Sequence, residues 1–156
     1  MNETHNSTGA ELLDVIVRLN RLISHRAVWL LPVTLAQARI LSQIDALGTT
    51  RIGDLALAER CSPPTMTVQV RRLEGLGLVS RKPDPDDARA ARVSLTASGR
   101  QALMETRQVR ADIAESLIDQ LDATDRRRLR DALPVLSGLL DVALHQTSTQ
   151  QELRKS

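Results

Sequence analysis

The residues able to do chemistry are thinly spread. The histidines stand at positions 5, 25 and 145, and Cys61 is the single cysteine. Asp141 and His145 share a helical face at i, i+4, but two ligands do not hold a metal ion. No other His, Cys and acid grouping has metal-ligand spacing. No nucleophile motif and no phosphate-cradling glycine loop is present. Neither catalysis nor a metal nor a cofactor is therefore expected. Chemistry is concentrated instead in CSPPTMTVQVRRLEGLGLV, Cys61–Val79, where two prolines and two glycines bound a short run with helical spacing and two adjacent arginines.

Proline is tolerated in the first turn of a helix, whose amides have no intrahelical partner anyway. Ser62 is a good N-cap. Pro64 biases Pro63 toward an extended conformation, so either proline can open the helix. Helical periodicity puts Met66, Val70, Leu73 and Gly77 on one inward face and Pro64, Val68, Arg71 and Gly75 on the opposite face. Thr65, Thr67, Gln69 and Arg72 flank that outer face. It is small, polar and basic, with no acid before Glu74. Such a helix suits the major groove of DNA, with its N-terminal residues at the base edges. It would also suit an ordinary surface helix, whose charges are merely solvated.

The neighbours favour DNA. A short helix around Ile52–Arg60 precedes by a tight turn, as in a helix-turn-helix. A hairpin carrying Arg81, Lys82, Arg89 and Arg92 follows, able to reach the minor groove or the phosphates. Between Arg51 and Arg100 nine basic residues face six acidic ones, a balance of +3 against +2 for the whole chain, so the remainder is −1. Positive charge is gathered where DNA contact is expected.

Composition sets the frame for these elements. At 156 residues the chain fits one domain, or one subunit with two lobes. It has one Trp (Trp29) and no Phe or Tyr, so the core must be aliphatic, which favours helices. It also lacks the aromatic platforms on which single-stranded nucleic acid is stacked. A pI near 9.3 leans toward an anionic partner. One cysteine excludes a disulfide within the chain. The polar start lacks a signal pattern and no apolar run approaches membrane-spanning length, so a cytoplasmic, nucleoid-associated protein with no membrane contact is expected.

Residues 1–9 read as disordered. ELLDVIVRLNRLISHRAVWLL (11–31) reads as a long amphipathic helix ended by Pro32. VTLAQARILSQIDALG reads as a second helix, capped by Thr34 with Gln37 and stopped by Gly48, its apolar face made of Leu41, Ile44 and Leu47. Strands near Val79–Lys82 and Arg92–Leu95 flank a loop rich in Pro and Asp. Thr96 caps a helix over about 97–121, and a last helix follows from DATDRRRL, with Pro134 expected to kink it. The fold class is mainly α with a small β-hairpin wing. Residues 32–96 form a winged helix-turn-helix, 10–31 and 97–147 a helical dimerisation region, and 148–156 a flexible C-terminus. Leu12, Ile16 and Leu19 at one end and Leu136, Leu140 and Leu144 at the other form apolar stripes with few partners in their own chain. A second copy of the chain is the simplest cover, giving a homodimer.

The pieces LAQARILSQI, IGDLA, SPPTMTVQVRRLEGLGLVSR and DPDDARAARVSLTASG together resemble the MarR family of winged helix-turn-helix regulators, over about 34–100 and, by helix order, most of the chain. The resemblance implies a homodimeric transcriptional regulator, a repressor more than an activator, offering two recognition helices and two wings to a near-palindromic site on double-stranded DNA. By position, Thr65, Thr67, Val68 and Arg71 would meet the major groove, Arg89 would enter the minor groove from the wing tip, and Asp87 would orient the wing through an arginine. Val68 departs from the longer polar residue many members carry there. Ala88 departs from a frequent second wing arginine.

The resemblance also implies release from DNA by a small aromatic or phenolic effector. His25, Arg26, Trp29 and Arg39 are the nearest candidates to bind it: an arginine for a carboxylate, Trp29 for a ring. Trp29 would serve equally as packing at a dimer junction. Cys61 precedes a helix start, which favours a thiolate, yet a small buried and inert residue fits that turn better. A different class stays open, a winged-helix protein–protein adaptor that does not read DNA. The modest net charge, Val68 and the wing acids Asp84, Asp86 and Asp87 speak for it.

Overall fold

The structure, a computed structural model, describes residues 7–87 and 90–153, and side chains as far as Val142. Arg89 and Ala88, expected at the wing tip, and the side chain of Leu144 lie outside the described residues. The elements in chain order are α1 (Thr8–Ala27), α2 (Leu35–Leu47), β1 (Thr50–Arg51), α3 (Ile52–Ala58), α4 (Pro63–Gly75), β2 (Val79–Pro83), β3 (Ala91–Leu95), α5 (Ala97–Ile118) and α6 (Ala123–Leu153). Backbone contacts divide the chain into two compact units, one ending at Ile113 and the other beginning at Ala114.

Helix boundaries follow local chemistry. The Ser7 Oγ accepts the Ala10 N–H at 3.3 Å and starts α1 inside the stretch expected to be disordered. The same helix stops at Ala27, short of the expected Leu31. Pro32 disfavours helical backbone at the residue before it, and Val28–Leu30 form a turn instead. In α2 the capping box expected of Thr34 and Gln37 is present in both directions, at 3.2 and 2.9 Å, and Gly48 ends the helix with φ +70°. Asp122 Oδ1 accepts the N–H groups of Thr124 and Asp125 at 2.8 Å and starts α6, which continues through Pro134 to Leu153, past the boundary expected at 147.

The hairpin exists as expected, with Val79 opposite Leu95 and Arg81 opposite Val93. A third strand, β1, pairs antiparallel with the other edge of β3, so the sheet order is β1-β3-β2. Periodicity does not reveal this strand, because two residues cannot show an alternation.

The core of the first unit joins Leu41 and Ile44 of α2, Leu55 of α3, Met66, Val70 and Leu73 of α4, Val93 of β3 and Leu103 of α5. It is aliphatic but for one thioether, as the lack of Phe and Tyr requires. Leu47, expected on the apolar face of α2, is exposed instead. It sits in the last turn, beyond the core packing that Leu41 and Ile44 make.

Thr96 ties the recognition half to α5. Its Oγ1 donates to the Gly77 carbonyl at 2.6 Å and accepts the Gly99 N–H at 3.0 Å. The chain passes so close here that a Cβ on Gly99 would fall 1.9 Å from the Leu78 carbonyl oxygen. Alanine is ordinarily the better helix former. Gly99→Ala is nevertheless expected to destabilise by about 1–3 kcal/mol, because the backbone must shift. Gly138 of α6 has nothing within 4 Å of the same position. There, alanine is expected to stabilise by about 0.5–1 kcal/mol. Urea unfolding of both variants checks the opposite signs.

Candidate nucleic-acid interface

The interface is assembled from α3, α4 and the β2–β3 hairpin. Four residues, Glu59 to Ser62, join the two helices, and among them Arg60 takes a left-handed backbone, φ 52°. The Cys61 N–H donates to the Ala56 carbonyl at 3.0 Å and closes the turn. Cys61 is half-buried and packs against the core.

Ser62 is the N-cap of α4, its Oγ accepting the Thr65 N–H at 3.3 Å, and Pro63 is the first helical residue. Met66, Val70 and Leu73 are buried as their spacing requires. Pro64, Thr65, Val68, Arg71 and Arg72 are exposed on the other side, with Thr67 and Gln69 half-buried at its flanks. Gly77, expected on the inward face, lies beyond the helix in a turn with φ +71°.

The hairpin is organised by Asp84, which in the sequence is no more than one of three wing acids. Asp84 Oδ2 accepts from Arg51 Nε at 2.6 Å and from Arg92 Nε at 2.9 Å. Its Oδ1 accepts the Asp86 N–H at 2.8 Å. The side chain is fully covered. Burial opposes its charge, but the hydrogen bonds from Arg51 and Arg92 dominate and hold the carboxyl well below the usual carboxylate range. Arg51 is raised in return, first by its hydrogen bond to Asp84. Arg92 also reaches Asp86 at 3.1 Å. Two backbone bonds, Asp84 N–H to the Ala90 carbonyl at 3.0 Å and Ala90 N–H to the Asp87 carbonyl at 2.9 Å, close the loop above. Arg51 is thus a functional candidate that sequence reading missed. Its partner lies 33 residues away and meets it only because β1 exists.

These pairings sort the cations. Arg92 is committed to Asp84 and Asp86, and Arg81 lies 3.6 Å from Glu74. Among the described residues Arg71, Arg72 and Lys82 form no ion pair. All three are exposed, Arg71 and Arg72 on α4 and Lys82 on β2. The wing acids that weakened the case for an anionic partner are in part consumed internally.

The expected effector residues are not brought to one place. A cleft of about 540 Å³ between α1, α2 and α5 is lined by Ser24, Leu35, Arg39, Leu103, Arg107 and Arg110, among others. Of the four candidates Arg39 borders it, while its Nε donates to Glu59 Oε2 at 2.6 Å. Arg110 donates to Asn20 Oδ1 at 2.6 Å across the same cleft. His25 borders a separate open groove along α1. Arg26 is exposed, and Trp29 is 90% exposed two residues past the end of α1, so it is not core in a single chain. Among the described residues no three His, Cys, Asp or Glu are grouped to hold a metal, and no helix is long and apolar enough to cross a membrane.

A short helix, a tight turn, a second helix with its outer face open and a three-stranded hairpin sheet beside it define a winged helix-turn-helix protein. The family model described as MarR family matches residues 33–91. An uncharacterized HTH-type transcriptional regulator of Mycobacterium bovis is 31% identical over 132 residues, 85% of this chain and 92% of that one. The crystal structure of a mutant MarR from E. coli superposes with a TM-score of 0.68 at 26% identity, covering 92% of this chain and 99% of that one. A transcriptional regulator from Thermotoga maritima gives 0.72 at 26% identity, covering 86% and 95%. The chain belongs to the MarR family of HTH-type transcriptional regulators.

A depressed carboxyl stabilises the fold at pH above its unfolded value, and that contribution fades as pH falls toward the folded one. Asp84→Asn is therefore expected to lower the melting temperature at pH 7. The difference from wild type should shrink as pH drops below about 4, the ordinary aspartate value. Thermal melts of both proteins across pH 3–7 check it.

Proposed function

We propose that the protein is a homodimeric, sequence-specific regulator, a repressor, that lays α4 in the major groove and its wing against the flanking backbone of a near-palindromic operator. The observation that carries this is the sorting of charge: Arg71 and Arg72 on α4 and Lys82 on β2 stay exposed outside any ion pair among the described residues, while Asp84 is neutralised within the wing. A MepR mutant from S. aureus, 22% identical, was crystallised bound to an oligodeoxyribonucleotide, which supports the same use of the fold. Thr65, Thr67, Val68, Gln69 and Arg71 are assigned to the groove. Arg72, Arg81, Lys82 and Arg89 are assigned to the backbone or the minor groove, and Asp87 to orienting the wing tip. Arg92 serves as the internal brace of the wing.

Dimerisation is supported by apolar side chains left uncovered in each unit. On α1 these include Leu13, Ile16, Val17 and Leu19, and on α6 Leu139, Leu140 and Val142. Leu12 and Leu136, half-buried, border the two stripes. Exposed apolar surface on this scale asks for a partner, and a second copy supplies both stripes at once. A small aromatic acid is the proposed effector. Its carboxylate would pair with Arg39 or with the cleft's Arg107 and Arg110, and Trp29 would be available to its ring. The protein then works as a cytoplasmic regulator without catalysis, cofactor or metal.

Three measurements test the reading. Selection from a random duplex pool is expected to enrich an inverted repeat with half-sites about one helical turn apart. On that operator Arg71→Ala is expected to lose about 1–3 kcal/mol of binding if the guanidinium reads a base. Affinity should fall steeply with salt, as phosphate contacts require. A folded dimer that enriches nothing would favour the adaptor reading instead.

A further inference from the structure

The first turn of α4 lacks what most helix starts present. The leading amides of a helix have no intrahelical carbonyl and are free to donate to an anion or a base acceptor. Here Pro63 and Pro64 have no N–H at all. The Thr65 N–H is taken by Ser62 Oγ at 3.3 Å and the Met66 N–H by the Ser62 carbonyl at 3.0 Å. The hydroxyls are engaged as well. Thr67 Oγ1 donates to the Pro63 carbonyl at 2.8 Å, and Ser62 Oγ and Thr65 Oγ1 share a hydrogen bond of 2.8 Å.

What this turn has left to offer is mainly carbon: the Pro64 ring, the threonine methyls and Val68, which is 48% exposed one turn above Pro64. The nitrogen donors able to reach a base edge, Gln69, Arg71 and Arg72, begin only beyond it. Guanine in the major groove presents two acceptors and needs donors opposite it, whereas thymine is the base that presents a methyl group.

We propose that Val68, flanked by Thr65 and Thr67, is a specificity-determining residue that reads the C5-methyl group of a pyrimidine. Each operator half-site places a thymine against it, and 5-methylcytosine can stand in for that thymine while cytosine cannot. The inference rests on the DNA-binding reading above and adds the identity of one base and the chemical group by which it is known.

The test uses the full chain and the duplex selected from the random pool, with each thymine replaced singly by deoxyuridine, which pairs identically but lacks the methyl. At one thymine in each half-site the loss is expected to be about fourfold, the equivalent of the roughly 0.8 kcal/mol for burying one methyl-sized group. Cytosine at that position should bind more weakly and 5-methylcytosine should recover the loss. Val68→Ala, an exposed substitution whose fold is checked by its melting temperature, should bind the thymine and uridine duplexes alike. Indifference of the wild type to every uridine would overturn the proposal, as would full sensitivity retained in Val68→Ala. Failure to bind any duplex would overturn the DNA-binding reading itself, and this inference with it.

Discussion

A carboxylate removed from water must be paired or it will not stay charged. Asp84 meets that demand with two guanidinium groups drawn from different strands, Arg51 of β1 and Arg92 of β3. The consequence is architectural. β1 is only two residues long, so its backbone bonds to β3 are few. The ion pair fixes Arg51 beside Arg92, its register partner, and anchors the start of α3, whose first residue follows at once. α3 in turn sets the turn into α4. Removing one partner from such a cluster leaves buried charge uncompensated, which is worse than never having had it. One side chain in the wing thus connects the hairpin to the helix-turn-helix.

The same economy governs α4. Its outer face can be open only because its inner face is fully used: Met66, Val70 and Leu73 are buried against α2, α3 and the sheet. Thr96 closes the other side, bonding the turn after α4 to the first turn of α5. At Gly99 the two backbones of this junction meet with no room for a side chain between them. The recognition helix is thereby held from behind at both ends, by the Arg60 turn at its start and the Gly77 turn at its finish.

Much of this was legible in the sequence, and the reasons differ by element. Caps with a defined chemistry were readable: Thr34 with Gln37, Ser62 before two prolines, and Thr96 all act where their residue types demand. The inward face of α4 followed from periodicity, because three buried residues at helical spacing leave little choice. Features that depend on contact between distant segments were not readable. Nothing local in Arg51 announces a strand or a carboxylate 33 positions on. The commitment of Arg92 to Asp84 and Asp86 is hidden for the same reason, so a count of charges overstates what the wing can offer DNA. Leu47 and the end of α1 were missed because periodicity describes a helix but not where its packing partners stop.

Trp29 has a practical consequence. It is the only tryptophan in a chain without tyrosine, and in the single chain its ring is almost wholly in water. Ultraviolet emission from this protein therefore reports on one location, the segment just after α1. Whatever covers that ring, be it another subunit or a small molecule, takes the indole out of water and moves its emission to shorter wavelength. Events confined to the wing leave the signal untouched. The chain carries its own optical probe for one surface, with no background from elsewhere.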